Sequence, residues 1–139
     1  MFAAVTLEDL QGNYEVAIQS TPLMPNWFQI ERGNGTLVGA NFTGQDGLGV
    51  AWKVEIQDNG SNKFNFQAVL DPRNAAPNAG LMSKNGTMTR EPQSYNGVFD
   101  VVKIGNQIVL KTSVQQGPIT IIVQLLKKTW QIQMTSWIF

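Results

Sequence analysis

Apolar and polar residues alternate with a period close to two along most of this chain. Turn residues interrupt the alternation about every ten positions, the rhythm of an all-β sandwich or barrel. Tyr14, Val16 and Ile18 alternate with Glu15, Ala17 and Gln19. Trp27-Phe28-Gln29-Ile30 leads into Arg32-Gly33-Asn34-Gly35, which reads as a tight turn, with residues 36–43 as the returning strand. The cleanest alternation covers 50–57, where Val50, Trp52, Val54 and Ile56 share one face and Ala51, Lys53, Glu55 and Gln57 the other. Asp58-Asn59-Gly60-Ser61 then makes a hairpin, and Phe64, Phe66, Ala68 and Leu70 continue the apolar face.

Residues 71–80 carry two prolines and no period. They read as a long loop, either a plain connection at one rim or a binding loop. Leu81-Met82-Ser83, an Asn85-Gly86 turn and Thr87-Met88-Thr89 follow, and Asn96-Gly97 stands where a turn or a bulge fits. A strand is expected over 98–104, a turn at Gly105-Asn106, and then an inward face of Ile108, Leu110, Thr112 and Val114. Gln116-Gly117-Pro118 turns the chain once more, and two last strands, 119–126 and 130–139, meet at Lys127-Lys128-Thr129. Links this short favour antiparallel neighbours. Only Leu7-Glu8-Asp9-Leu10 reads as a helical turn. The expected fold is one all-β domain over residues 1–139. It is a single, mostly up-and-down antiparallel β-barrel of about eight to ten strands with a short N-terminal helical turn.

Leu10-Gln11-Gly12-Asn13-Tyr14, a short turn followed by Gly-x-aromatic, resembles the opening of lipocalin-like barrels. Those barrels usually carry Gly-x-Trp there, and Tyr14 departs from the tryptophan. Gly35-Thr36-Leu37-Val38-Gly39 is similar to the Gly-x-Leu-x-Gly hairpin of streptavidin-like barrels. The two matches cover ten residues. They imply a barrel whose interior holds a small apolar ligand, and they carry over no binding residue.

Composition narrows the chemistry. The 139 residues include no cysteine and no histidine, which removes thiol nucleophiles, thiolate metal sites, serine–histidine triads and histidine-ligated metals. No catalytic residue, metal or cofactor is assigned, and the balance leans away from an enzyme. Ten basic and ten acidic residues cancel, so the chain has no electrostatic footprint for nucleic acid or an anionic membrane. No apolar run reaches the ~18 residues that cross a bilayer. The N-terminus lacks the basic and apolar regions of a signal peptide. A cytoplasmic location is expected, with release from a cell the other. Asn34-Gly-Thr36, Asn41-Phe-Thr43, Asn59-Gly-Ser61 and Asn85-Gly-Thr87 match the glycosylation sequon, but hairpin chemistry accounts for the Asn-Gly pairs among them.

Four tryptophans and seven phenylalanines suit either a filled barrel or the lining of a cavity. If a cavity exists, Tyr14, Trp52, Phe64 and Phe66 are its expected lining from their phase. Asp100 is in phase with Val98, Val102 and Ile104 and joins that lining, unless a bulge near Asn96-Gly97 returns it to solvent. The segment Ile119-Thr120-Ile121-Ile122-Val123-Gln124-Leu125-Leu126 is apolar on both faces, and no helix is expected to cover the second. A homo-oligomer, a dimer first, is therefore expected, with Ile122, Leu126, Trp137 and Phe139 at the interface. Three functions remain: a barrel binding a small apolar ligand, a structural or assembly subunit (viral among the options) with a filled barrel, and a histidine-independent isomerase or lyase. The last requires Asp100 to converge with Tyr14 or Tyr95.

Overall fold

The computed structural model describes residues 4–21, 31–116 and 119–128. A 3-10 turn at Glu8–Leu10 precedes β1 (Gly12–Thr21), β2 (Glu31–Val38), β3 (Asn41–Asp46), β4 (Ala51–Asp58) and β5 (Lys63–Asp71). Two short strands, β6 (Leu81–Met82) and β7 (Met88–Thr89), form a separate hairpin before β8 (Gln93–Ile104), β9 (Gln107–Gln116) and β10 (Ile119–Lys127). Eight of these strands close into one antiparallel barrel in the order β1-β10-β9-β8-β5-β4-β3-β2. Chain neighbours are sheet neighbours throughout, apart from the β6–β7 excursion, and β1 pairs with β10 to remove both edges. The up-and-down barrel expected from the alternation is the observed fold.

Cross-strand partners share a face, so the register decides what lies inside. The β4–β5 hairpin pairs Trp52 with Leu70, Val54 with Ala68 and Ile56 with Phe66, the apolar set that the sequence places inward. Tyr14 and Val16 on β1 and Leu110 on β9 are buried, with Ile18, Ile108 and Val114 packed against the same core.

Two readings are corrected. Arg32-Gly33-Asn34-Gly35 is not a turn; it lies within β2, and the reversal comes at Gly39-Ala40. Gly35 serves packing instead, because a Cβ there would lie 2.2 Å from Cζ of the buried Phe42 ring. The Asn96-Gly97 pair is likewise inside a strand, β8, with Gly97 opposite Phe66. The strand expected over 130–139, with Trp130, Trp137 and Phe139, lies outside the described residues, as do Trp27 to Ile30 and the Gly117-Pro118 turn.

One end of the barrel is plugged. The 3-10 turn brings Leu10 into the core, where the Tyr14 hydroxyl donates to the Leu10 carbonyl at 2.6 Å. Gln11 binds the β2–β3 turn from both sides of its amide. Its Nε2 donates to the Gly39 carbonyl at 2.8 Å, and its Oε1 accepts the Gly39 N–H at 2.6 Å. The Val5 N–H donates to Asn62 Oδ1 at 2.7 Å in the β4–β5 turn. Leu10, Tyr14, Leu37, Phe64 and Leu110 have essentially no accessible surface, so this half of the interior leaves no water-sized void against them.

Candidate functional site

The opposite end, which we call the mouth, is framed by the β3–β4 link and the long segment between β5 and β8. Its inward residues come late in β1, β5 and β9 and early in β4, β8 and β10. Trp52 is one residue inside β4 and is flanked in register by Gly44 on β3 and Leu70 on β5. Its ring reaches across β3 to β2, since a Cβ on Gly33 would lie 2.5 Å from Trp52 Cη2. The indole is buried, yet Nε1 finds no hydrogen-bond partner among the described residues. An unsatisfied buried donor costs about 1–3 kcal/mol, and native structures contain few of them.

Around it, Ile18, Leu70, Val114, Ile121 and Val123 pack against the core but stay only half-buried. Tyr95 joins them from β8, opposite Ala68, and burial raises its phenol above the ordinary 10.0. The interior therefore grades from a solid plug at the Tyr14 end to accessible apolar surface at the Trp52 end.

The other expected lining residues divide accordingly. Phe64 is fully buried in the plugged half, as is Tyr14, whose edge meets the Phe42 ring at 5.9 Å between centroids. Burial pushes the Tyr14 phenol far above its usual range, and its proton is held by the Leu10 carbonyl. Phe66 stacks at a tilt on Phe99, 4.5 Å between centroids, in mid-barrel.

Asp100 is a correction. It lies on the outer face, exposed, with a 2.6 Å ion pair to Lys63. The physical reason is the pairing of Phe64 with Phe99 and of Lys63 with Asp100 across β5 and β8. Phe64 faces inward, so Phe99 does too, and Asp100 must face out. No bulge is needed, because β8 runs uninterrupted with Tyr95, Gly97, Phe99 and Val101 on the inner phase. The sheet thus separates Asp100 from Tyr14 and Tyr95, and the convergence that an isomerase or lyase site required is absent.

A concave space of about 480 Å³ lies outside the barrel, on the outer faces of β3, β4, β5 and β8 beneath the β6–β7 hairpin. Lys53, Glu55, Gln67, Asn96 and Lys84 line this solvent-open groove together with Val54, Ala68 and Val69. We take the mouth as the site because burial coincides there with a donor that has no partner among the described residues. Among the described residues no helix is long and apolar enough to cross a membrane, and no three carboxylates cluster to hold a metal ion.

Of the expected interface residues, Leu126 faces out from β10 and is exposed, and Ile122 is half-buried on the same outward phase. Leu126 pairs with Val109, which pairs in turn with Val102, so the apolar outer stripe continues across β9 and β8. Trp137 and Phe139 lie outside the described residues. Phe42, Phe99 and Leu125 are interior residues that sequence reasoning did not single out, and Tyr95, named only as a partner for Asp100, joins them. For β8 the Tyr-x-Gly-x-Phe-x-Val phase was present in the sequence, but Val98 and Val102 gave the opposite phase equal apolar weight.

The fold and site define a class: a single closed antiparallel barrel of eight strands, compatible with the lipocalin-like type. No family model, curated protein or solved structure matches the chain.

Proposed function

We propose that this barrel binds a small, largely apolar molecule at its mouth, with the Trp52 indole N–H donating to an acceptor on that molecule. The carrying observation is the buried Trp52 Nε1, which has no partner among the described residues and sits beside half-buried aliphatic surface. An acceptor brought there by a ligand would recover the desolvation cost, and the aliphatic walls would hold its apolar body. The lipocalin-like resemblance of Gly12-Asn13-Tyr14 points the same way.

The test uses 8-anilinonaphthalene-1-sulfonate (ANS), an apolar ring system bearing an acceptor. Saturable one-to-one binding is expected. A hydrogen bond to a charged group is worth about 1.5–3 kcal/mol, so Trp52→Phe should weaken binding roughly 10- to 100-fold. Equal affinities for the two proteins would overturn the assignment of the donor.

A second reading, an assembly subunit, rests on the outer stripe of Val98, Val102, Val109, Ile122 and Leu126. Val98 and Leu126 are 39% and 37% exposed, while Val102 and Ile122 are half-buried and Val109 is buried. It makes the protein a homo-oligomer through β8–β10. Sedimentation of wild type against Ile122→Lys checks it, the expected result being dissociation to monomer.

A further inference from the structure

Between β5 and β8 the chain leaves the barrel wall, yet its apolar residues return to the core. Pro72 and Ala79 are buried, and Ala75 and Leu81 pack against the interior cluster with Leu48 and Val50 of the β3–β4 link. The Ala76 N–H donates to the Leu48 carbonyl at 2.9 Å, which ties this segment to that link at the Trp52 end. Two tight turns, Ala75 N–H to Pro72 O and Ala79 N–H to Ala76 O, leave several carbonyls facing one place.

A single side chain from beyond the β6–β7 hairpin occupies that place. Arg90 Nη1 donates to the carbonyls of Ala76 and Ala79, both at 2.8 Å. Its Nη2 lies 3.3 Å from the Arg73 carbonyl and 3.5 Å from that of Ala75. No carboxylate pairs with Arg90 among the described residues. A planar fork of five donors suits several carbonyls at once, and an ammonium on a flexible stem does not reproduce it. A bidentate ion pair between Asp71 and Arg73, 2.8 Å at its shorter arm, fixes the start of the same segment.

We infer that Arg90 is a positioning residue that clasps segment 72–80 across the rim beside Trp52 and so sets the rate at which small molecules pass through the mouth. This rests on the binding reading above, although the clasp itself can be tested without any ligand. Trypsin provides that test, because Arg73 sits inside the clasped segment and Lys84 in the hairpin outside it. In Arg90→Gln, cleavage after Arg73 should rise at least tenfold relative to cleavage after Lys84, with the far-ultraviolet circular dichroism of the barrel kept. Arg90→Lys should fall between the two, since it keeps the charge but loses the fork.

Stopped-flow displacement of ANS should then show dissociation at least fivefold faster from Arg90→Gln, in step with the cleavage ratio. An unchanged cleavage ratio overturns the clasp. A raised ratio with unchanged ANS dissociation overturns control of passage, leaving a purely structural staple. If ANS binds neither protein, the binding reading and the control of passage fall together, while the cleavage ratio still decides the clasp.

Discussion

Replacing Trp52 by phenylalanine and by alanine separates the packing of its ring from the cost of an N–H that has no partner among the described residues. The side chain is only 4% exposed, so truncation to alanine removes nearly all of its apolar burial and leaves a cavity at the rim of the packed core. An aromatic ring of this kind buries about 150–250 Å². Large-to-small changes at such sites cost about 3–5 kcal/mol. Phenylalanine keeps one six-membered ring and removes the orphaned donor. The lost methine and ring volume cost about 1–2 kcal/mol, and removal of an unsatisfied N–H returns about 1–3 kcal/mol. The net change expected for Trp52→Phe is therefore within about 1 kcal/mol of wild type. Urea unfolding followed by circular dichroism, with m held constant, reads both values. Losses of more than about 3 kcal/mol for both variants would refute the argument, because they would mean that the N–H is satisfied in the folded protein. A small loss for alanine would refute the packing half, and would mark Trp52 as the wall of a wet pocket.

Three further outcomes follow from the same geometry. Gly35→Val should destabilise by at least about 2 kcal/mol, because its Cβ meets the Phe42 ring at 2.2 Å, and Phe42→Leu should relieve part of that loss in a double-mutant cycle measured by thermal unfolding. Tyr14 ionises far more readily in the unfolded chain than in the fold, so its contribution is intact below the ordinary phenol value of 10.0 and is lost progressively as pH rises above it. Stability measured between pH 8 and 11 should therefore fall less steeply in Tyr14→Phe than in wild type, with Tyr95 supplying a smaller share of the same slope. Asp100→Asn breaks only an exposed ion pair and should shift stability by less than about 1 kcal/mol, with ANS affinity unchanged in a fluorescence titration.

The extent to which this fold could be read from sequence differs strand by strand, for physical reasons. The β4–β5 hairpin was legible because each strand has apolar residues on one phase and polar residues on the other, with Asp58-Asn59-Gly60 between them. On β8 both phases are apolar: Tyr95, Phe99 and Val101 compete with Val98 and Val102, and only pairing with β5 decides between them. That choice carried Asp100 from a candidate lining residue to the outer surface. Asn34-Gly35 misled for a related reason. The dipeptide satisfies a turn, but here the glycine makes room for the Phe42 ring, a tertiary partner that no local rule reveals. Trp52 could be placed inside from its phase alone. That its N–H would stand without a partner among the described residues, and that Arg90 would gather carbonyls from four residues, depended on the arrangement of distant strands and loops.

The most direct test of the account is the indole N–H region of a ¹H–¹⁵N spectrum during ANS titration, with the Trp52 resonance assigned by its absence in Trp52→Phe. The four tryptophans give four such resonances. The account predicts that the Trp52 resonance moves downfield and saturates with the fluorescence binding curve, as an N–H does on gaining an acceptor. A Trp52 resonance that stays fixed while ANS binds would place the ligand elsewhere and contradict the site.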